Sequence, residues 1–480
     1  MFGQTCRAVL AMFCMLLPWA CGARAAESSR LNILLITADD MNYDAPGFTG
    51  NKLPGLTPNL DRLASQSIWF VHAHVTIAVC QPSRSVLMTG RYPCRNGAMG
   101  FEPIREDVPT LQEQLRAAGY LNGILAKNGH LAPRHKFCWD VDIREDQLGA
   151  GRDPARYYEH AKAFFERARR ENKPFFLMAN SQDPHRPFPG SEAEDARRRN
   201  RPRNYPAPDR IYRPDEIIPP EFLPDLPVVR QEVAQYYSSV RRCDQTVGEI
   251  LRALKETGRE DDTLVMFLSD NGMAFPFAKT NCYLSSTRTP WLVRWPAKTK
   301  GGTVDREHFI SGIDFMPTVL EAAGLPAPAG MDGRSFVPLL RGERQEGRDR
   351  VFTVFHQTSS RGDFPMRALQ DHRFGYIFNA WSDGQLEFRN ESRNSPTFNA
   401  MQAAASSDPK VAERTRHFLF RVKEEFYDYQ ADPAALRNLI DDPKHAADIA
   451  RFRAEMLRIM RSIDDPQLPD FEQLVRQSSP

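Results

Sequence analysis

Short, continuous apolar runs recur along the chain, and each ends in a polar cluster. Leu31–Thr37, Gly123–Ala126, Pro174–Asn180 and Thr263–Ser269 are mostly apolar at successive positions rather than alternating. That is the pattern of strands buried on both faces of a parallel sheet. Between them lie helical patterns. Val233, Tyr237, Val240, Val247, Ile250 and Leu254 recur at helical steps, and Gly258 stands where a C-cap is expected. Strands alternating with helices predict an α/β fold with a mostly parallel central sheet flanked by helices. The four runs lead into Asp39-Asp40, Lys127 to His130, Asp183-Pro184-His185 and Asp270-Asn271. Ligands of open parallel sheets bind beyond the carboxyl ends of the strands. The pattern therefore predicts that two carboxylate pairs, a lysine and two histidines meet at one sheet edge.

The texture changes near Arg341. Gly342 to Arg348 reads as a polar linker, Val351–Phe355 and Phe374–Phe378 as strands, and Ile449–Ile463 as an amphipathic helix. The expected division is a catalytic domain over residues 26–345 and a smaller α+β domain with an antiparallel sheet over 346–480, which completes the substrate pocket. At the other end, Arg7 precedes an apolar run from Ala8 to Ala20, and Ala23-Arg24-Ala25 fits a small-residue cleavage site. Residues 1–25 thus read as a secretory signal peptide, and the run is short for a membrane span. The expected location is exported: periplasmic or secreted in a bacterium, lysosomal in a eukaryote.

Composition narrows the function. Of 480 residues, 63 are Lys or Arg and 61 are Asp or Glu, a net charge of +2. That balance excludes a general nucleic-acid binder and a membrane-surface binder, which would be strongly basic. Eight cysteines are too few for a disulfide scaffold. After the signal, Cys94, Cys138, Cys243 and Cys282 accompany Cys80, which leaves room for one or two disulfides without specifying connectivity. Asn390-Glu391-Ser392 is a glycosylation sequon, relevant only in a eukaryote.

Cys80-Gln81-Pro82-Ser83-Arg84 runs into Ser85 to Arg91, with a proline soon after the cysteine and an apolar stretch behind it. This places Cys80 at a helix N-terminus, where anions and activated nucleophiles are favoured. A lone cysteine is ordinarily a small buried residue. This one is not alone: C-x-P-S-R followed by Thr89-Gly90, with Thr57 to Ala64 upstream, resembles the signature of the formylglycine-dependent sulfatases of the alkaline phosphatase superfamily. The resemblance covers nearly all of the chain after residue 25.

The resemblance implies an alkaline-phosphatase-like fold and a set of residue roles. Cys80 would be converted to formylglycine by a formylglycine-generating enzyme. One Ca²⁺ per chain would be held by Asp39, Asp40, Asp270, Asn271 and the modified Cys80, a hard oxygen set that suits calcium and disfavours zinc. Arg84, Lys127 and Lys279 would neutralise sulfate. His185 would protonate the leaving group, His130 would act as a base in the second half-reaction, and Asp270 is a candidate base in the first. The spacing Lys127-x-x-His130 departs from the family's commoner K-x-H, which puts His130 in question; His135 is a poor substitute.

Within the family, Ser269 to Pro276, Thr280 to Tyr283, Phe364 to Arg367, Ser395 to Phe398 and Phe426 to Asp428 resemble the heparan sulfamidase branch. Asp432-Pro433 and Asn438-Leu439 do so as well. That branch implies removal of the N-sulfate from a terminal glucosamine of heparan sulfate, with Asp183, Asn281 and Arg367 as substrate contacts. The alternatives are an O-sulfatase on a glycosaminoglycan or other sulfated carbohydrate, a phosphonate or phosphodiester hydrolase, and a glycan-binding protein with Cys80 unconverted. Glu192 to Arg203, rich in arginine, reads as a solvated loop or as a contact to an anionic glycan. The oligomeric state is left open, a homodimer included.

Overall fold

A computed structural model describes residues 30–200 and 205–477, with the side chains of 197–200 excepted. The expected signal peptide lies outside the described residues, as do the side chains of Arg197, Arg198, Arg199, Arg201 and Arg203. The chain from Leu31 onward forms one compact unit. Among the described residues, no helix is long and apolar enough to cross a membrane.

The strands are β1 (Asn32–Asp39), β2 (Ile68–His74), β3 (Leu121–Leu125), β4 (Val141–Ile143), β5 (Phe175–Pro184), β6 (Thr263–Ser269), β7 (Trp291–Arg294) and β8 (Thr303–Ser311). They form one eight-stranded sheet in the order β4-β3-β5-β1-β6-β7-β2-β8. Only β7 runs antiparallel to its neighbours. The continuous apolar runs have the expected cause. In β1, Leu34, Ile36 and Ala38 pack into one core while Ile33 and Leu35 pack into another. Val265 and Phe267 of β6 join the first, and Leu264, Met266 and Leu268 the second. Alternate side chains of a strand point to opposite faces, so a strand covered on both sides must be apolar at every position.

A second sheet, antiparallel throughout, has the order β12-β11-β10-β9. It comprises β9 (Arg350–Gln357), β10 (Asp363–Asp371), β11 (Phe374–Asn379) and β12 (Glu424–Asp428). Its apolar residues, among them Val354, Met366 and Ile377, belong to the same core as Leu34 and Ile36. The amide of Val354 also donates to Thr76 O at 2.8 Å.

Several elements extend beyond the expected limits. The helix expected around Val233–Leu254 runs from Pro227 to Glu256, and Gly258 follows it at φ +71°. The strand expected over Pro174–Asn180 continues to Pro184 and so includes Asp183. The segment read as a loop from Glu192 is a helix, Glu192–Asn200, with Glu194 buried.

Candidate active site

The carboxyl ends of β1, β3, β5 and β6 meet the N-terminus of the helix Cys80–Thr89. Three residues here, Asp40 (φ +71°), Ala126 (φ +58°) and Lys127 (φ +58°), take the left-handed conformation that non-glycine residues seldom adopt. Such strain persists only where the surroundings over-determine it, and it concentrates at functional sites. The turn after β6 is equally constrained. A Cβ on Gly272 would lie 1.9 Å from Ser285 O, so only glycine fits beside Asp270 and Asn271.

Asp39, Asp40, Asp270 and Asn271 are all buried. Asn271 Nδ2 donates to Asp40 Oδ1 at 2.6 Å, and the Asp40 amide donates to Asp270 Oδ1 at 3.2 Å. Ligand atoms of Asp39, Cys80 and Asp270 lie within 4.8 Å of one another. Burial pushes the carboxyls of Asp40 and Asp270 up to about 7 against the pull of Lys279 and Arg84 respectively. Burial would raise Asp39 too, but Lys127, His185, Lys279 and Arg84 together outweigh it and hold that carboxyl well below its ordinary value. Asp39 Oδ1 and Asn271 Oδ1 are buried without a hydrogen-bond partner among the described residues. Buried polar atoms of this kind call for an explanation, and carboxylate and amide oxygens gathered this closely in a buried site fit a hard divalent cation. The donor set fits calcium.

Cations surround this cluster. Arg84, fully buried, donates from Nη1 to Thr37 Oγ1 (2.8 Å) and Asn180 Oδ1 (2.5 Å), and from Nη2 to Asp270 Oδ2 (2.6 Å). Lys127 pairs with Asp39. Lys279 Nζ lies 2.8 Å from Asp40 Oδ1 and 3.0 Å from Glu391 Oε1. The Cys80 thiol is pushed up to about 12 by burial. A thiol in that state is un-ionised at neutral pH and a poor nucleophile as encoded.

Both expected histidines reach the same cavity, of about 930 Å³, which Cys80, Lys127, His130, His185 and Lys279 help to line. The 3₁₀ turn Asn128–His130 takes up the extra residue of the K-x-x-H spacing and returns His130 to the wall. His135 pairs instead with Glu106 on the surface, at 2.9 Å. Burial, reinforced by Lys127 and Arg84, lowers His130 well below its ordinary value and keeps the ring neutral. His185 is held near 4 by burial and by Lys279. Its Nδ1 bonds Arg186 O at 2.7 Å, which leaves Nε2 as the free nitrogen, 3.9 Å from Asp40 Oδ2.

Carboxylates arrayed for a cation, buried cations beside them and two neutral histidines around a cysteine at a helix start suit transfer of an anionic group. Residues 31–325 match the sulfatase family. The chain belongs to the sulfatase family. Residues 274–387 also match the family described as N-sulphoglucosamine sulphohydrolase, C-terminal. The sulfatase is 30% identical to human N-sulphoglucosamine sulphohydrolase over 91% of each chain. It is 26% identical to an ulvan-active sulfatase of Formosa agariphila, over 94% of this chain and 79% of that one. A solved protein in complex with its substrate D-glucosamine-2-N,6-O-disulfate shares the fold, with a TM-score of 0.68 at 18% identity, over 91% of this chain and 99% of that one.

Three expected substrate contacts of the sulfatase do not line the cavity, and each has a physical reason. Asp183 is fully buried and paired with Arg152 and with Arg242 Nε at 2.7 Å. Arg367 is fully buried and forks onto Asp465 at 2.5 and 2.7 Å. Asn281 is fully buried and accepts from Arg421 at 2.6 Å. The five described cysteines are all free, so no disulfide forms among them. Asn390 of the sequon is buried and donates to Thr280 Oγ1 at 2.8 Å, a poor acceptor for a glycan. The residue beside it, Glu391, does line the cavity, as do Phe101, Glu145, Arg152, Gln182 and Thr358. None of these carries a local sequence signal, because their approach depends on distant segments.

Proposed function

We propose that this sulfatase acts on a sulfated sugar and removes the N-sulfate of a terminal glucosamine in heparan sulfate or heparin fragments. The observation that carries the reading is the origin of the cavity wall. Lys279, Thr280, Thr358 and Ser359 line the cavity and fall within the residues that match the N-sulphoglucosamine sulphohydrolase C-terminal family. Substrate choice resides in the residues that face the leaving group.

Asp39, Asp40, Asp270, Asn271 and the side chain at position 80 would hold one calcium ion, which when bound supplies positive charge to the sulfate oxygens. Converted to formylglycine, position 80 supplies the nucleophile that a buried, un-ionised thiol does not. Arg84, Lys127 and Lys279 add fixed positive charge around the transferring group. In a dry site such preorganised charge is worth far more than in water. His185 presents Nε2 to the departing atom and is its proton donor. The incoming sulfate charge favours the imidazolium that burial alone disfavours. His130, neutral and with Nδ1 unpartnered, accepts the proton whose loss frees sulfate. Residues 26–345 form the catalytic part, and 346–480 complete the pocket. The reading includes export through residues 1–25 and maturation by a formylglycine-generating enzyme.

The test is sulfate release from a set of heparan disaccharides, alongside a tryptic mass spectrum of the Cys80 peptide. The reading expects the formylglycine mass at Cys80 and release from N-sulfated termini. Intact Cys80 in active protein, or release only from O-sulfated sugars, overturns it.

A further inference from the structure

Glu391 is out of place in a pocket for an anionic substrate. It begins the 3₁₀ turn Glu391–Asn394, and its neighbours hold it rigidly. Asn390 Nδ2 donates to Thr280 Oγ1 at 2.8 Å, and Ser392 Oγ donates to Asn390 Oδ1 at 2.8 Å. What reads in the sequence as a glycosylation sequon is a bracket that sets one carboxylate into the cavity wall. The side chain is 29% exposed, so it is reachable from the cavity.

The surroundings of Glu391 define what it could meet. Ligand atoms of Glu391, His185 and Asp40 lie within 4.8 Å of one another, so the carboxylate stands on the leaving-group side, beside the free Nε2 of His185. Lys279 is shared between Asp40 and Glu391, and Glu391 is the more exposed of the two, so its carboxylate is the one that faces the cavity. A carboxylate in that position repels a second sulfate and attracts a cation. The two classes of leaving group differ on this point. An O-sulfate ester releases an alcohol, which is neutral. An N-sulfate releases an amine, which is protonated at neutral pH.

We propose that Glu391 is the specificity residue for a nitrogen leaving group: its carboxylate holds the amine as it departs and the ammonium that results. This rests on the N-sulfate reading given under Proposed function. In the step, the S–N bond breaks and its electron pair stays on nitrogen. The nitrogen takes a proton from His185 Nε2, and the sulfuryl group passes to the hydroxyl at position 80, whose proton goes to Asp270, within 4.8 Å of that position. The amine then takes a second proton from solvent, and Glu391 faces the positive charge. An oxygen leaving group takes one proton and needs no such partner.

The test has a binding arm and a turnover arm, both on the full chain. Binding of glucosamine and of N-acetylglucosamine is measured by calorimetry near pH 6.5, in a Cys80→Ala background that cannot turn over, with and without Glu391→Gln. Glu391→Gln should weaken glucosamine by about tenfold, as loss of a charge-assisted hydrogen bond does, and leave N-acetylglucosamine within about twofold. Glu391→Asp should recover part of the loss. In turnover, Glu391→Gln should lower kcat/KM for N-sulfoglucosamine at least about tenfold more than for a 6-O-sulfated glucosamine. Equal losses on the two sulfates, or equal weakening of the two sugars, overturn the assignment of Glu391. A wild-type enzyme that spares N-sulfoglucosamine but releases O-sulfate overturns the N-sulfate reading instead, and the binding arm still decides whether Glu391 faces an ammonium.

Discussion

Asp183 offers a sharp test because two accounts of it predict opposite outcomes. As a substrate contact, Asp183→Ala would raise KM and leave stability alone. In the structure the carboxylate is fully buried and is shared by two buried guanidinium groups, Arg152 and Arg242. Removing it strands both. Breaking a buried ion pair by deleting one partner costs about 3–5 kcal/mol, because the remaining charge stays desolvated. The strandings are partly relieved: Arg152 Nη2 keeps His185 O at 2.7 Å, and Arg242 Nη1 keeps Pro206 O at 3.1 Å. About 4 kcal/mol is therefore expected rather than twice that. Unfolding entropy of roughly 2.1 cal/mol/K per residue, over the ~450 residues of the compact unit, converts this to a Tm lower by about 4 °C. Differential scanning fluorimetry on purified protein, with KM measured in parallel, reads both quantities. Because Arg152 also holds the His185 carbonyl, kcat should fall more than KM rises. A variant that melts within about 1 °C of the parent and shows only a raised KM would refute this account of the buried cluster.

Calcium should raise the melting temperature of the metal-stripped protein by about 3 °C at a hundredfold excess over Kd, the effect of a ligand that binds only the folded state. Asp39→Asn should abolish the rise, and an unchanged rise would remove Asp39 from the ligand set. Gly272→Ala drives a Cβ to 1.9 Å from a backbone carbonyl, so both Tm and sulfate release should fall. Normal activity in that variant would show that the turn yields easily. Glu425 is buried among Tyr283, Tyr427, Asn379 and His417. Burial would raise its pKa, but His417 and these donors hold it at about 2, against an ordinary 4.5. A depressed pKa stabilises the fold at pH above 4.5, and that contribution is lost as pH falls toward 2. Glu425→Gln should thus cost up to about 3 kcal/mol near pH 7, and the gap in Tm should narrow below pH 4.5. A gap that does not vary with pH would count against the charged state.

Much of the sheet was legible because burial on both faces leaves an unbroken apolar run, as in β1 and β6. By contrast, β8 (Thr303–Ser311) is largely polar until Phe309, since its outer part is exposed. Such a strand has no run to read and is defined only by its pairing with β2. The chemistry of the site was legible where it follows a strand end or the Cys80 signature. Position along the chain, however, does not show where a side chain points. Asp183 sits two residues before His185 yet is buried against Arg152 and Arg242, and Arg367 is spent on Asp465 almost a hundred residues later. Glu391 was hidden for the reverse reason. Its partner Lys279 is 112 residues earlier in the chain, and only the assembled fold brings them together.

The central claim is a sulfatase that cleaves the S–N bond of a terminal N-sulfated glucosamine with the residue at position 80. The direct measurement incubates natively matured enzyme with a defined N-sulfated heparan disaccharide and quantifies free sulfate and free amine together. The account predicts equal amounts of both, and neither with Cys80→Ala. Sulfate without amine, or release that survives Cys80→Ala, would contradict it.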